Sequence, residues 1–358
     1  MDRSKPFEPQ PISFLPQLVE RTWGGHGLSR YGKRCGPGAL VGESWEVSDV
    51  EGMPSVLDGG PYSGKTIRDL MASYSSEVLG AARAPEHPAG GAQFPLLLKL
   101  LDAQEDLSIQ VHPSDEDLAR SGIRRNGKTE AWIILDAEPG ARVWHGLAPG
   151  VDRTALFDRL EKLGGGRLPD GEADRLFRWI PVERGDVVFV PAGTIHAVGK
   201  GITLLEVQQT SDITYRIYDW GRRDRKTLEP RKLHIAEARG VSEPPRVPCP
   251  FRRLNKLPAQ PGFVPVISAA DCDKLTVECA TLAPGSPSGL EVLASTQEAR
   301  SSRFHILSAF EGEVRVRPQH GAELKLRPGM FVLLPSILGG YSVTAVEPAQ
   351  VLRFSCGA

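Results

Sequence analysis

Two segments far apart in the chain share one pattern. Gly185-Asp186-Val187-Val188-Phe189-Val190-Pro191 and Gly329-Met330-Phe331-Val332-Leu333-Leu334-Pro335 each run glycine, apolar strand, proline. A repeat of this kind constrains architecture more than any single motif, because each copy marks a similar folding unit. It implies two β units in one chain of 358 residues. The copies are not equivalent. His196 stands five residues past the first proline, and Gly340 occupies that place after the second. Only the first unit therefore offers a side chain there that can hold a metal.

The punctuation agrees with a mainly β chain. The 38 glycines and 30 prolines demand many turns and few long helices. Strands are expected at 41–48, 94–101, 107–112, 128–135, 186–190 and 202–207. A small helical segment is expected near 150–180. Leu156, Phe157, Leu160 and Leu163 fall at helical spacing over 152–163, with Asp152 as cap and Gly164–Gly166 as stop. A second short helix is expected over 172–179. Residues 77–93, with repeated Ala, Pro and Gly, read as an exposed loop. Prolines crowd 241–265, which places a linker between a catalytic unit (1–240) and a C-terminal unit without metal (266–358).

Charge and cysteine usage exclude several classes. The formal net charge is −1, so no basic excess exists to release counterions from a nucleic acid or an anionic membrane. No apolar stretch is long enough to span a bilayer, and the N-terminus lacks a signal-type apolar region. The five cysteines, Cys35, Cys249, Cys272, Cys279 and Cys356, contain no CxxC pair. A disulfide framework is not expected, and a cytoplasmic setting fits.

One constellation carries chemistry. Gln110 and His112 lie two apart in LSIQVH, so a strand presents both on one face. Lys128 and Glu130 share a face of the strand that follows, and His196 comes after the turn Pro191-Ala192-Gly193-Thr194. Two imidazoles, a carboxylate and an amide oxygen suit a catalytic zinc site with one position open, or another divalent ion. Taken singly, such residues are more often ordinary strand or surface groups. Lys99, inside an apolar run, is expected in a buried ion pair. Trp23 and Trp45 fit either a sugar face or core packing. His305 is expected to be structural. His26, His87, His145, His234 and His320 sit in turn-like or charged surroundings.

Together the motifs resemble type I mannose-6-phosphate isomerases, particularly the short bacterial branch. The matching segments are Trp23-Gly24-Gly25, GESWEVS from Gly42, FPLLLKLLDA from Phe94, DLSIQVHP from Asp106, GKTEAW from Gly127, VPAGTIHA from Val190 and LLEVQQTSDITYRIYDWGR from Leu204. They run in order over residues 12–240, and the last third matches loosely. The resemblance implies two cupin-type jelly-roll β-barrels, a bicupin, and one zinc per chain on Gln110, His112, Glu130 and His196. It maps the family's active-site arginine onto Arg216 and suggests substrate-site roles for Ser108, Lys128 and Glu206. Lys128 ranks ahead of Glu206 as the proton-transfer base. Longer members carry a lysine shortly after the arginine, where this chain has Arg222 and Arg223, so Arg222 becomes a candidate substrate contact. The implied activity interconverts mannose 6-phosphate and fructose 6-phosphate through a cis-enediol, in a monomer or homodimer acting on a small sugar phosphate. The alternatives are another metal-cupin enzyme, an oxygenase or decarboxylase, or a sugar-binding cupin without catalysis. The first usually presents three histidines and a glutamate; the second has no need of Arg216, Lys128 and Glu206.

Overall fold

The computed structural model describes residues 6–356 apart from 83, 225–227, 244–250, 258–261, 285–289 and 293–302. Cys249 and much of the expected linker, at 244–250 and 258–261, lie outside the described residues.

Four sheets carry the architecture, which is mainly β. A seven-stranded sheet runs in the order Phe251–Arg253, Asp186–Val190, Glu130–Ala137, Ile202–Gln209, Leu96–Ala103, Val41–Val47 and Gln17–Gly25. A five-stranded sheet packs on one of its faces, in the order Phe177–Pro181, Arg142–Leu147, His196–Val198, Ile109–Val111 and Tyr215–Tyr218. On the other face lies a second seven-stranded sheet, built from C-terminal strands plus Ile12–Leu15 and Val56–Asp58. A four-stranded sheet, which includes Val314–Pro318 and Tyr341–Ala345, covers the far side of that one. All pairings between the named strands are antiparallel, and Ile12–Leu15 pairs directly with Phe331–Leu334. The sheets are open, and no closed barrel forms among the described residues.

The position of the first seven-stranded sheet explains its sequence. It is covered on both faces, so strands such as LLLKLLDA and DVVFV are buried throughout and read as continuous apolar runs. The period of two survives in where side chains go. Ala131, Ile133, Val187 and Phe189 feed the core between the two seven-stranded sheets, whereas Trp132, Ile134, Val188 and Val190 face the five-stranded sheet. The even-numbered face is also the one that carries Glu130 and Glu206. The polar site is thus built into the sandwich between this sheet and the five-stranded one.

Helix Arg153–Leu163 forms where expected, with the Asp152 side chain accepting from the Ala155 amide at 2.7 Å and Gly164 at φ 58° closing it. The second helix is shorter, Glu172–Leu176, because Phe177–Pro181 pairs with Arg142–Leu147 as a strand. The exposed loop expected over 77–93 is a correction. Its first residues end a helix, Ile67–Leu79, and Val78, Leu79, Ala82, His87 and Gln93 are buried. That helix opens with a capping box, Thr66 with Asp69, and buries Ile67, Leu70, Met71, Tyr74 and Val78. His145 is a second correction. It lies on Arg142–Leu147, is buried, and its Nε2 reaches the Phe189 carbonyl at 3.0 Å. No helix among the described residues is long and apolar enough to cross a membrane.

Candidate metal and active site

Strand register brings the sequence candidates together. His196 sits directly across from Gln110, and Arg216 faces Gln110 from the other side. Glu130, on the opposite sheet, is paired with Gln208 and Val190. As a result His112, Glu130 and His196 place their ligand atoms within 4.8 Å of one another, all deeply buried. The Glu130 carboxylate lies 3.4 Å from His112 Nε2 through Oε2 and 3.3 Å from His196 Nε2 through Oε1.

The hydrogen bonds around this triad orient it for a cation. His112 Nδ1 is 2.9 Å from the Ile213 carbonyl, and His196 Nδ1 is 2.8 Å from the Thr194 carbonyl. A carbonyl only accepts, so each Nδ1 carries the proton and each Nε2 turns a lone pair inward. Burial, reinforced by the Lys128 charge, pushes the His112 pKa down to about 4, and burial pushes His196 to about 3. Both rings are therefore neutral, as metal ligands must be. Burial opposes ionisation of Glu130, but Lys128 and His112 outweigh it and hold the carboxyl well below its usual range. The carboxamide of Gln110 lies 3.5 Å from His112 Nε2 and 3.4 Å from His196 Nε2. Turned by 180°, it presents its oxygen, the atom a metal accepts. Three or four acceptors thus converge, with Trp132 Nε1 donating to Glu130 Oε1 at 3.1 Å and Lys128 beside them, and a divalent cation would satisfy the lone pairs that remain. The donor set, two imidazoles, one carboxylate and one amide, fits zinc with room for a further ligand.

Lys128 is the cation at hand. Its Nζ lies 2.7 Å from Glu130 Oε2 and 3.1 Å from His112 Nε2, and 3.9 Å from Glu206 Oε1. Burial works to lower its pKa, but Glu130 and Glu206 reverse that and raise it. Glu206 also faces Lys99 Nζ at 3.3 Å, which is the ion pair expected for Lys99. Burial raises the Glu206 pKa despite Lys128 and Lys99, and its Oε1 receives no aligned hydrogen bond.

A cleft of about 760 Å³ opens over these groups. Ser108, Gln110, Lys128, Glu206 and Arg216 line it, with Trp23 and Trp45. His112, Glu130 and His196 are absent from the lining and lie behind its floor, so Gln110 and Lys128 connect the cleft to the triad. Arg216 donates from Nε to Ser108 Oγ at 3.1 Å and from Nη1 to the Lys232 carbonyl at 3.1 Å. Arg222 is not among the lining residues; it is tied to Asp219 at 2.7 Å. Trp45 donates to Glu43 at 2.8 Å, and Lys99 Nζ stands 4.6 Å from a Trp45 ring centroid. His305 is half-buried at the start of strand His305–Glu311 in the second seven-stranded sheet, and its Nδ1 lies 3.0 Å from the Tyr341 hydroxyl.

Arg21, Glu43 and Arg231, which stand outside the sequence candidates, share the cleft wall. Glu43 had a usable signal, a carboxylate inside a strand that is otherwise buried. Arg21 and Arg231 had none, because nothing local distinguishes them from surface arginines.

The model of the phosphomannose isomerase type I catalytic domain matches residues 14–131. Mannose-6-phosphate isomerase ManA of Bacillus subtilis (strain 168) is 37% identical over 244 residues, which cover 67% of this chain and 70% of that protein. The solved mannose 6-phosphate isomerase from Bacillus subtilis superposes with a TM-score of 0.75 at 29% identity, covering 96% of this chain and 99% of that one. A solved mannose 6-phosphate isomerase with zinc bound shares the fold, with a TM-score of 0.68, 18% identity, and coverage of 97% and 100%.

Proposed function

Since this chain belongs to the mannose-6-phosphate isomerase family, we propose that it interconverts mannose 6-phosphate and fructose 6-phosphate in the cleft over the His112–Glu130–His196 triad. The observation that carries the proposal is the meeting of two features. A buried acceptor set with both Nε2 lone pairs turned inward lies under a polar cleft large enough for a hexose phosphate.

His112, Glu130 and His196 would hold zinc, with Gln110 as the fourth ligand. When bound, the ion supplies Lewis acidity to the sugar oxygens and a fixed positive charge against which the enediolate is stable. The rest falls to this chain's own side chains. The sugar enters with C1 and C2 over Lys128 and Glu206, which share the wall next to the floor. These two form the acid–base pair: one removes the proton from the carbon next to the carbonyl, and the same face returns it to the neighbouring carbon. Arg216, braced by Ser108 and the Lys232 carbonyl, places a permanent positive charge where the enediolate oxygen develops negative charge. Trp23 and Trp45 back the cleft wall from the cores in which they are buried. Arg222 acts one step back, holding Asp219.

We read the two stacked sheet pairs as the two cupin units implied by the sequence resemblance. The glycine–strand–proline repeat supports this, since its copies fall on Asp186–Val190 and Phe331–Leu334 in the two seven-stranded sheets. In that reading the second unit lacks a metal site and buttresses the first, across the core shared by the two seven-stranded sheets. The test of the activity is formation of fructose 6-phosphate from mannose 6-phosphate by the purified zinc-loaded chain. Zinc bound with no turnover would leave a binding protein, and turnover after exhaustive chelation would refute the metal's role.

A further inference from the structure

The catalytic reading accounts for the sugar end of the substrate and leaves its phosphate without assigned partners. A phosphate monoester carries close to two negative charges at neutral pH and needs donors in fork geometry. Three guanidiniums reach the cleft: Arg21 from the edge strand Gln17–Gly25, Arg216 from Tyr215–Tyr218, and Arg231 from the loop between that strand and helix Ile235–Val241.

Their partners leave positive charge uncompensated. Arg216 has no carboxylate within ion-pair distance among the described residues; its bonds go to Ser108 and a carbonyl. Arg231 is clamped on Asp219 through Nε at 2.7 Å and through Nη2, yet the same carboxylate also holds Arg222. One carboxylate thus faces two guanidiniums, though Arg222 has a second, looser contact with Glu105 at 3.5 Å. Arg21 keeps one contact, with Glu43 at 2.8 Å, and its side chain stays 38% exposed. Glu43 in turn is shared with Trp45 and held ionised, with Lys99 and Arg21 outweighing burial to bring its pKa to about 2. Among the other cleft carboxylates, Asp212 is engaged by Arg125 and Glu206 by Lys99, while Glu20 and Asp224 complete the rim.

Two observations point to an anion at this spot. Arg216 is crowded by like charge: burial, then Arg231, Arg222 and Arg21, with Asp219 opposing, bring its pKa down to about 10. Beside Arg21, Thr22 also lines the cleft, and its hydroxyl lies just beneath the surface, buried and without a hydrogen-bond partner. A hydroxyl in that state is a donor waiting for an acceptor.

We propose that Arg21 and Arg231 grip the substrate's phosphate at the mouth of the cleft, with the Thr22 hydroxyl as an additional donor, and set the preference for a phosphorylated sugar. Asp219 and Glu43 are positioning residues, which hold the two guanidiniums pointed at the cleft. The inference rests on the isomerase reading for the identity of the sugar, and on the cleft alone for the anion.

The test is the kinetics of zinc-loaded Arg21→Gln and Arg231→Gln on mannose 6-phosphate, with inorganic phosphate as competitor. Losing one charge-assisted contact raises KM about 10- to 100-fold. The Ki for inorganic phosphate rises by a similar factor, kcat stays within about 3-fold, and competition by unphosphorylated mannose is unchanged. Arg21→Lys and Arg231→Lys keep the charge and recover part of the loss. Unchanged KM and Ki in both Gln variants would overturn the inference, as would phosphate inhibition of the wild type that is not competitive with substrate. That last measurement needs no variant to fold. If the wild type has no turnover, the isomerase reading fails by itself. Phosphorus NMR of inorganic phosphate then decides the subsite: broadening by the wild type that both Gln variants lose supports it, and no broadening by the wild type refutes it.

Discussion

Replacing Glu206 by glutamine removes one charge and almost no volume. Its carboxylate lies between two buried ammonium groups, 3.3 Å from Lys99 and 3.9 Å from Lys128. At an effective dielectric of about 20, these contacts amount to roughly 5 and 4 kcal/mol of attraction before desolvation. Burying the carboxylate offsets much of that, as its raised pKa shows. Glu43 and Glu130 remain near the two lysines. The net cost of the substitution is therefore about 3 kcal/mol, the lower end of the range for breaking a buried pair. For a chain of this size, at about 2.1 cal/mol/K of unfolding entropy per residue, that is a fall in Tm of about 4 °C. Catalysis loses more. A group that moves a proton in the transition state is worth about 10²- to 10⁴-fold in kcat. Fructose 6-phosphate formation, followed in a coupled assay alongside zinc content and thermal unfolding, measures all three quantities. Glu206→Gln with normal zinc and more than a tenth of the wild-type kcat would refute its place in the acid–base pair. An unchanged Tm would refute the buried charge ladder.

Arg216→Ala leaves zinc content normal and abolishes measurable kcat; loss of zinc would mean that the arginine serves the fold instead. Gln110→Ala weakens zinc binding less than His196→Ala, since an amide is the poorer ligand, and a metal-competition titration that ranks them the other way would contradict the assignment. His305 supplies a pH dependence away from the site. Burial, with Arg353 and Arg303, lowers its pKa to about 3, so the unfolded chain takes the proton first. Its contribution is fully present above about pH 6.5 and is lost as pH falls towards about 3, on the order of a few kcal/mol. Urea unfolding of His305→Gln should lose less stability than the wild type between those limits; parallel pH profiles would count against it. Thr66→Ala removes the capping box of helix Ile67–Leu79 and costs about 1 kcal/mol in the same assay, with an unchanged midpoint as the contrary result.

Local pattern carried the site a long way. Gln110 and His112 were legible because a strand repeats every two residues. Lys99 was legible because a charge inside an apolar run must find a partner, and it did in Glu206. The helix Arg153–Leu163 announced itself by period and caps. Other features are set by packing that sequence does not display. The chain Ile67–Leu79 has a helical apolar stripe and a capping box, yet the turns around it mask the signal. His145 reads as a turn residue until its strand is seen pinned between Phe177–Pro181 and His196–Val198. The pairing of Ile12–Leu15 with Phe331–Leu334 joins residues over 300 apart in sequence, and no local pattern encodes such a partner. Arg21 and Arg231 belong to the same class, since only the fold brings them to one cleft.

One buried triad, His112, Glu130 and His196, makes the proposed isomerase metal-dependent. That dependence is tested most directly by turnover of mannose 6-phosphate against zinc content in a single preparation, stripped by chelator and refilled in steps. Activity should disappear with the metal and return in proportion to zinc, saturating at one ion per chain, with His196→Ala inert at every step. Full activity in the stripped protein, or restoration in His196→Ala equal to the wild type, would contradict it.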